Sequence, residues 1–353
     1  MFVAWRDLRF ARGRFALMGT VIVLITLLVG LLSGLTAGLA RDNTSALTAL
    51  PADHLAFARP AAGQSVSFTG SDVTEKQWRE LGGRPGVDSA EPIGIRTVNA
   101  EAGRQSAAVS VFGVRPESGL APAATGPGAV VLSTKAADEL GAARGDRIEL
   151  GGQRLTVAAV SGQDSYSHTP VVWADLGDWQ SLAHSTGATV VALRTSAGAD
   201  LAAADRAAGT ESATIEGALS AIGSYQAENG SLQLMRGFLF VISALVVGAF
   251  FTVWTIQRSG DIAVLKALGS STPYLLRDAL GQAVVMLVGG TAVGTLLASL
   301  FGAFVPDGVP FVLEPVTALG PAAVMTVLGL VGAALSVRRI TAVDPLTALG
   351  SAR

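Results

Sequence analysis

The sequence predicts an α-helical membrane protein: four transmembrane helices, with a mixed α/β extracytoplasmic domain inserted between helices 1 and 2. Three observations predict it. Half of the residues are apolar and mean hydropathy is +0.49. Only 15% of residues are charged, against about 25% in an ordinary soluble domain. That deficit is concentrated in four long stretches, and the block between the first and second has an ordinary soluble composition.

A membrane helix needs about 20 mostly apolar residues to cross the hydrocarbon core. The first such run is 16–40, bounded by Arg14 and Arg41, after an N-terminal tail 1–15. A cleavable signal peptide would have an apolar core of only about 7–15 residues. This run is longer, so a retained helix is expected. The other runs are 237–256 between Arg236 and Arg258, then 279–305, and then 317–337, which ends at Arg338 and Arg339. A charge at the bilayer centre costs roughly 2.5–3.5 kcal/mol on insertion scales. None of the four runs carries one centrally.

Orientation follows from Lys and Arg near the span ends. The tail 1–15 carries Arg6, Arg9, Arg12 and Arg14. The segment 257–278 carries Arg258, Lys266 and Arg277, and the tail 338–353 carries Arg338, Arg339 and Arg353. The loop 306–316 has only Asp307 and Glu314. Both termini are therefore expected in the cytoplasm of a cell-membrane protein, with the domain 41–236 outside. Arg236 is the exception, explained as snorkelling at the outer interface.

Within that domain, residues 75–81 read as a short helix with Thr74 and Gln77 spaced as a capping box. Strands are expected at 107–114, 129–132, 171–173 and 189–193. Pro170 suits a strand entry. Residues 147–150 and 154–157 alternate polar and apolar around Gly151, Gly152 and Gln153, a hairpin signal. Residues 133–140, closed by Gly141, read as a capped helix. Pro and Gly in 118–128 mark a loop, and residues 214–229 are expected as a helical stalk into span 2.

Several chemistries are excluded. With no cysteine, there are no disulfides and no thiolate metal sites. There is no phosphate loop of the G-x-x-x-x-G-K-[ST] type and no G-x-S-x-G elbow, so ATP hydrolysis by this chain is not expected. Net charge is −2, which leaves no basic footprint for nucleic acid. His54, His168 and His184 lie at no metal-site spacing and read as surface or loop residues. Asp164, Tyr166 and His168 sit close together in one loop, the nearest thing to a catalytic constellation.

Span 1 carries Gly30, Gly34 and Gly38 at intervals of four, and span 3 carries Gly290, Gly294, Ala298 and Gly302. Small residues at that spacing let helices approach closely. For span 3, packing within the chain is expected. For span 1, packing within the chain and packing against a second copy stand side by side. In 257–278, Ile262, Leu265 and Leu268 share one helical face, with Asp261 and Lys266 elsewhere, and Gly269 ends the helix. Such a helix lies on lipid or docks a partner. Its few basic residues favour the partner.

At this segment the sequence resembles the FtsX-like, MacB-type permease family of ABC transporters. The resemblance is carried by Arg258, by the run 261–270 (Asp-Ile-Ala-Val-Leu-Lys-Ala-Leu-Gly-Ser), and by the tail 342–349 (Ala-Val-Asp-Pro-Leu-Thr-Ala-Leu). The order of one span, outside domain and three spans matches too, as does the stretch 130–157. Asp261 stands where the family usually has Glu. The resemblance implies a homodimer docked on two separate ATPase subunits, which would hold the ATP and Mg. Asp261, Ile262, Leu265, Lys266 and Leu268 would form the coupling helix, and Gly30, Gly34 and Gly38 the dimer packing. The compact outside domain, with Asp42, Asn43, Thr44 and Ser45 just after span 1, looks closest to the DevC-like or HrtB-like haem-exporting subfamily.

Haem would be substrate, with no cofactor in this chain. Haem needs an axial ligand, and the start of span 2 offers Tyr225, Glu228 and Met235. The plainer reading of these three is a polar stalk end and a lipid-facing methionine. The expected function is an efflux permease expelling an amphipathic compound from the outer leaflet by mechanotransmission. The alternative is a non-transporting regulator of a cell-wall enzyme or signalling partner.

Overall fold

In the computed structural model the described residues are 12–223, 225–257, 260, 264, 268–306, 308–312 and 314–338. The chain divides into two compact units. An outer unit covers Leu39–Asn229, and a membrane unit combines Met1–Gly38 with Gly230–Arg353.

Helix α1 (Arg12–Thr48) opens the chain, followed by β1 (His54–Ala58), α2 (Glu75–Gly82), β2 (Val87–Ala102) and β3 (Gln105–Val114). Next come β4 (Ala129–Leu132), α3 (Thr134–Leu140), β5 (Arg147–Leu150), β6 (Gln153–Val160), β7 (Ser165–Tyr166) and β8 (Thr169–Asp175). The outer unit continues with α4 (Leu176–Ala183), β9 (Val190–Thr195), α5 (Leu201–Ala208), β10 (Thr210–Thr214) and α6 (Ile215–Ala218). The long helices α7 (Tyr225–Gln257), α8 (Thr272–Gly302) and α9 (Pro315–Arg338) follow.

The outer unit is built on one sheet of order β10-β1-β9-β2-β3-β8-β4-β6-β5. The last strand returns to β2 through Ala100↔Leu150 and Glu101↔Glu149, so the strands from β2 to β5 form a ring. Strand β2 is long because it serves two neighbours in turn: β9 along Val87 to Ile93, then β5 at Ala100 and Glu101. β3–β8 and β4–β6 are the parallel pairs.

The central strands are buried on both faces. Val172 and Ala174 of β8 join one core, together with Trp78, Leu140, Trp179 and Ala204 from helices α2 to α5. Val171 and Trp173 join the other, with Ala46, Leu47 and Leu50 from the end of α1 and Leu219, Ala221 and Ile222. That second core breaks the stalk expected at 214–229. Ile222 is extended at φ −77° and ψ 117° and buried, so the chain leaves helical geometry to bury it before α7 begins.

Local signals behave as their chemistry requires. Gly151 and Gly152 take φ of +54° and +88° between the paired residues Leu150 and Gln153, a primed hairpin turn. Ser133 accepts from the Ala136 amide, and Gly141 closes α3 at φ +58°. Gln77 Oε1 accepts from the Thr74 amide at 2.9 Å.

Among the described residues, four helices are long and apolar enough to cross a bilayer. Their contacts rest on small residues. A Cβ on Gly290 would meet Ile22, one on Gly294 would meet Thr26 and the Val23 carbonyl, and one on Gly30 would meet Ala298. The stripe on α8 therefore faces α1 and meets its glycine stripe at Gly30. Gly34 lies against the Phe311 ring and Gly38 against the Pro310 backbone, and the Val312 amide donates to the Gly34 carbonyl. This corrects the expectation that Gly30, Gly34 and Gly38 pack against a second copy: their own chain occupies the face. Met18, Ile22, Val247, Phe251, Ala283, Leu287 and Ala333 fill the centre of this unit.

Candidate functional site

Three segments of the outer unit, joined by Lys135 from α3, bring polar side chains together. The end of α1 supplies Asp42 and Asn43, the two-residue turn between β7 and β8 supplies Ser167 and His168, and the first turn of α7 supplies Glu228. Ser167 and His168 have φ of +49° and +64°. This region favours glycine, and a residue with a side chain there costs on the order of 1 kcal/mol. The turn is pinned by its surroundings: the Ser167 amide donates to the Asn43 carbonyl at 3.0 Å and the His168 amide to the Asp42 carbonyl at 3.3 Å. Ser45 Oγ accepts from the Ser165 amide at 2.8 Å.

The strained turn aims the imidazole between two carboxylates. His168 Nε2 lies 2.8 Å from Glu228 Oε2, and Nδ1 lies 3.5 Å from Asp42 Oδ2. Lys135 from α3 reaches Asp42 Oδ1 at 2.7 Å. Asn43 Nδ2 donates to Glu228 Oε2 at 3.3 Å and lies 3.2 Å from His168 Nε2. Glu228 is thus tied through one oxygen. Its Oε1 accepts no hydrogen bond among the described residues, and the side chain is 45% exposed. Arg41 adjoins the cluster in sequence.

The neighbours of His168 in its loop do structural work. Tyr166 is buried in an aromatic cluster with Phe68 and Phe112, and burial pushes its phenol well above the ordinary range. Burial also raises the Asp164 carboxyl, opposed by a hydrogen bond from the Trp173 indole. His54 sits on β1, and His184 closes α4 at φ +53°. Among the described residues no group of His, Asp and Glu could hold a metal ion. A cavity of about 410 Å³ lined by Phe68, Arg96, Thr97 and Trp179 lies elsewhere on the outer unit and includes none of the charged cluster.

The structure accounts for the sequence candidates unevenly. Glu228 stands in the cluster. Tyr225 packs on the second core of the outer unit. Met235 belongs to the membrane unit and is exposed. Asp261, Ile262, Leu265 and Lys266 lie outside the described residues. Leu268 is exposed, its amide donates to the Val264 carbonyl at 3.0 Å, and Gly269 follows at φ +94°. Asp42, Asn43 and Lys135 were missed as site residues. The only sequence signal was the polar run 42–45 just past an apolar span.

The MacB-like periplasmic core domain matches residues 15–210, and the FtsX-like permease C-terminal domain matches residues 234–345. The chain belongs to the FtsX-like, MacB-type family. It is an ABC transporter permease. The protein named as hemin transport system permease HrtB of Staphylococcus epidermidis is 26% identical over 99% of both chains. Its namesake in Staphylococcus haemolyticus is 27% identical, again over 99% of each. An uncharacterised ABC transporter permease of Mycobacterium tuberculosis is 26% identical over 82% of each chain. Among solved structures, the extracellular domain of YknZ from Gram-positive bacteria is similar at 15% identity and a TM-score of 0.36, covering 46% of this chain and 98% of that one. The periplasmic region of MacB from Actinobacillus actinomycetemcomitans is similar at 10% identity and 0.35, covering 47% and 90%.

Proposed function

We propose that this permease is the membrane half of an ATP-driven efflux pump that expels an amphipathic substrate, haem, from the outer leaflet. The observation that carries the proposal is the end-to-end match to permeases named for hemin transport. The chemistry of Glu228 supports it: a half-exposed carboxylate with one oxygen held and the other open suits a single bond to ferric iron. Tyr225 is the other proposed contact within the outer unit. The working unit is a homodimer on two separate ATPase subunits, with both termini in the cytoplasm. Because Gly30, Gly34 and Gly38 are covered by their own chain, the dimer seam falls on other faces, and the exposed apolar side chains of α7, such as Phe238 and Ile242, are available for it.

In this reading the permease performs no bond chemistry. ATP closure below moves the segment carrying Asp261, Ile262, Leu265, Lys266 and Leu268. Helices α1 and α7, each continuous in sequence from the membrane unit into the outer unit, carry that motion outward. The test is the permease reconstituted with its ATPase in nanodiscs. Ferric haem should raise ATP hydrolysis and shift its own Soret band; no response in either sinks the haem reading. Leu265→Asp should abolish the stimulation while the chain still inserts, and normal stimulation in that variant would refute the coupling role.

A further inference from the structure

We propose that the cavity beside strand β2 is a docking slot for an extended segment of a partner protein, which pairs with β2 at Thr97 and carries an apolar residue between an acidic and a basic one. This goes beyond the haem reading and does not depend on it.

Two edges of the sheet are finished differently. At the end of the sheet, β10 pairs with β1 alone, and its outward groups are taken. Asp205 Oδ2 accepts from the Ser212 amide at 2.9 Å, and the Arg59 guanidinium donates to the Thr210 carbonyl at 3.1 Å. Side chains that cover an edge in this way keep other chains from pairing with it. Strand β2 carries no such cover. Its pairing with β9 stops at Ile93, and its pairing with β5 starts at Ala100. Just past Ile93, Thr189 takes the next places: its amide donates to the Ile93 carbonyl at 2.9 Å, and its Oγ1 accepts from the Ile95 amide at 2.8 Å. Backbone groups of alternate residues point the same way in an antiparallel ladder. Thr97 therefore presents its N–H and C=O on this side too, where no strand stands opposite among the described residues. The gap 96–99 leaves room for about three residues of added strand.

The cavity lies along this gap and has walls on both faces of the sheet. Its volume is about 410 Å³, within the roughly 300–1,000 Å³ of ligand pockets. On one face, Phe68, Ile95 and Tyr166 border it from the second core. On the other, Trp179 and Ala183 border it from the core that holds helices α2 to α5. Arg96 stands on that face and donates to the Ala183 carbonyl at 2.9 Å. An extended peptide sends alternate side chains to opposite faces, so it uses both walls while its backbone pairs with the edge between them. The residue opposite Thr97 shares its face and meets Phe68, Ile95 and Tyr166, which suit an apolar side chain. Its neighbours fall on the Arg96 face. Arg96 is exposed and makes no ion pair among the described residues, so an acidic neighbour complements it. Asp72 is the other charged residue of the lining, and a basic residue on the other flank completes the match. The Trp179 indole N–H is buried without a hydrogen-bond partner among the described residues, a donor that the fold itself leaves unused.

The test uses the full-length permease in nanodiscs and two capped, fluorescein-labelled probes, Thr-Glu-Phe-Lys-Thr and Thr-Lys-Phe-Glu-Thr, read by fluorescence anisotropy. Both should bind, one order more tightly, because Arg96 and Asp72 fix which flank is acidic. On the tighter probe, N-methylation of the Phe amide keeps every side chain and removes the donor to the Thr97 carbonyl. It should weaken binding by about tenfold. Thr97→Pro removes the open N–H without breaking a ladder bond and should cost about the same factor. Arg96→Ala should weaken the tighter probe by about threefold and erase most of the preference between the two orders. If the N-methylated probe or free phenylalanine binds as well as the tighter probe, the cavity takes a small molecule and the strand reading is overturned. If neither order binds wild type, the proposal falls. It also falls if a photo-crosslinking residue at position 97 joins two copies of this chain in the absence of peptide. N-methylation acts on the probe alone, so it decides the matter even where Thr97→Pro fails to fold.

Discussion

Glycine does opposite jobs for the same reason in the two units. In the outer unit Gly94 and Gly113 lie under the Trp179 side chain, where added Cβ atoms would come within 2.1 Å and 2.2 Å of it. There the missing side chains make room for a large apolar ring, and expulsion of water drives the burial. In the membrane unit Gly290 and Gly294 lie against α1 itself, where a Cβ on Gly294 would meet a backbone carbonyl at 2.7 Å. Lipid tails are as apolar as the helices, so close backbone approach and interhelical hydrogen bonds replace the hydrophobic drive. The outer unit is held by large side chains in two cores, whereas the α1–α8 contact of the membrane unit is closed by glycines that let backbone approach backbone.

Four changes test that contrast. The largest effect is expected in the outer unit. Phe112 is fully buried, with ring neighbours Trp173 at 5.1 Å and Tyr166 at 5.5 Å. Phe112→Ala should cost about 3–5 kcal/mol, read as a lower melting temperature. Next is Gly294→Leu, which drives a side chain into Thr26 and the Val23 carbonyl; overpacking costs about 1–3 kcal/mol. Wild-type stability for this variant in micelles would break the account of the α1–α8 contact. Thr291 and Thr326 share a 3.2 Å hydroxyl contact between α8 and α9. A double-mutant cycle to Val at both should give a coupling of about 0.6 kcal/mol, and a null value would leave packing alone as the glue.

The smallest effect concerns pH. Burial raises the Asp164 carboxyl above 3.8, so the folded state binds a proton more tightly than the unfolded chain. Its stabilising contribution is present below pH 3.8 and is lost as pH rises through the higher folded value. Asp164→Asn keeps an acceptor for Trp173 and removes the titration. The variant should gain slightly on wild type between acidic and neutral pH in urea titrations, and parallel curves would count against a buried charge there.

These contrasts bear on what could be read in advance. The close-packing role of Gly30, Gly34 and Gly38 was legible because spacing by four marks one helix face. Which surface meets that face was not, because a second copy, the chain's own α8 and the segment 310–312 all satisfy the same spacing. Strands β3, β4, β8 and β9 were visible as apolar runs. Strand β2 was not, because its neighbours change midway and its exposed Arg96, Thr97 and Asn99 break any alternation. In the candidate site Glu228 was legible as a polar residue heading an apolar helix. His168 was legible as part of a loop cluster with Asp164 and Tyr166, but not as a partner of Glu228.

By itself the sequence determined that the chain crosses a bilayer four times, where its soluble domain is inserted, and that it carries no phosphate loop. Those properties are written in stretches of neighbouring residues, since bilayer thickness and backbone hydrogen bonding act locally along the chain. Only the tertiary structure decided that Asp42, His168 and Glu228 meet. Asn43, the neighbour of Asp42, stands 125 residues before His168, which stands 60 before Glu228, and no local pattern encodes such a meeting. It comes from burying the end of α1 and residues 218–222 in one shared core, which leaves the hairpin turn between the two carboxylates.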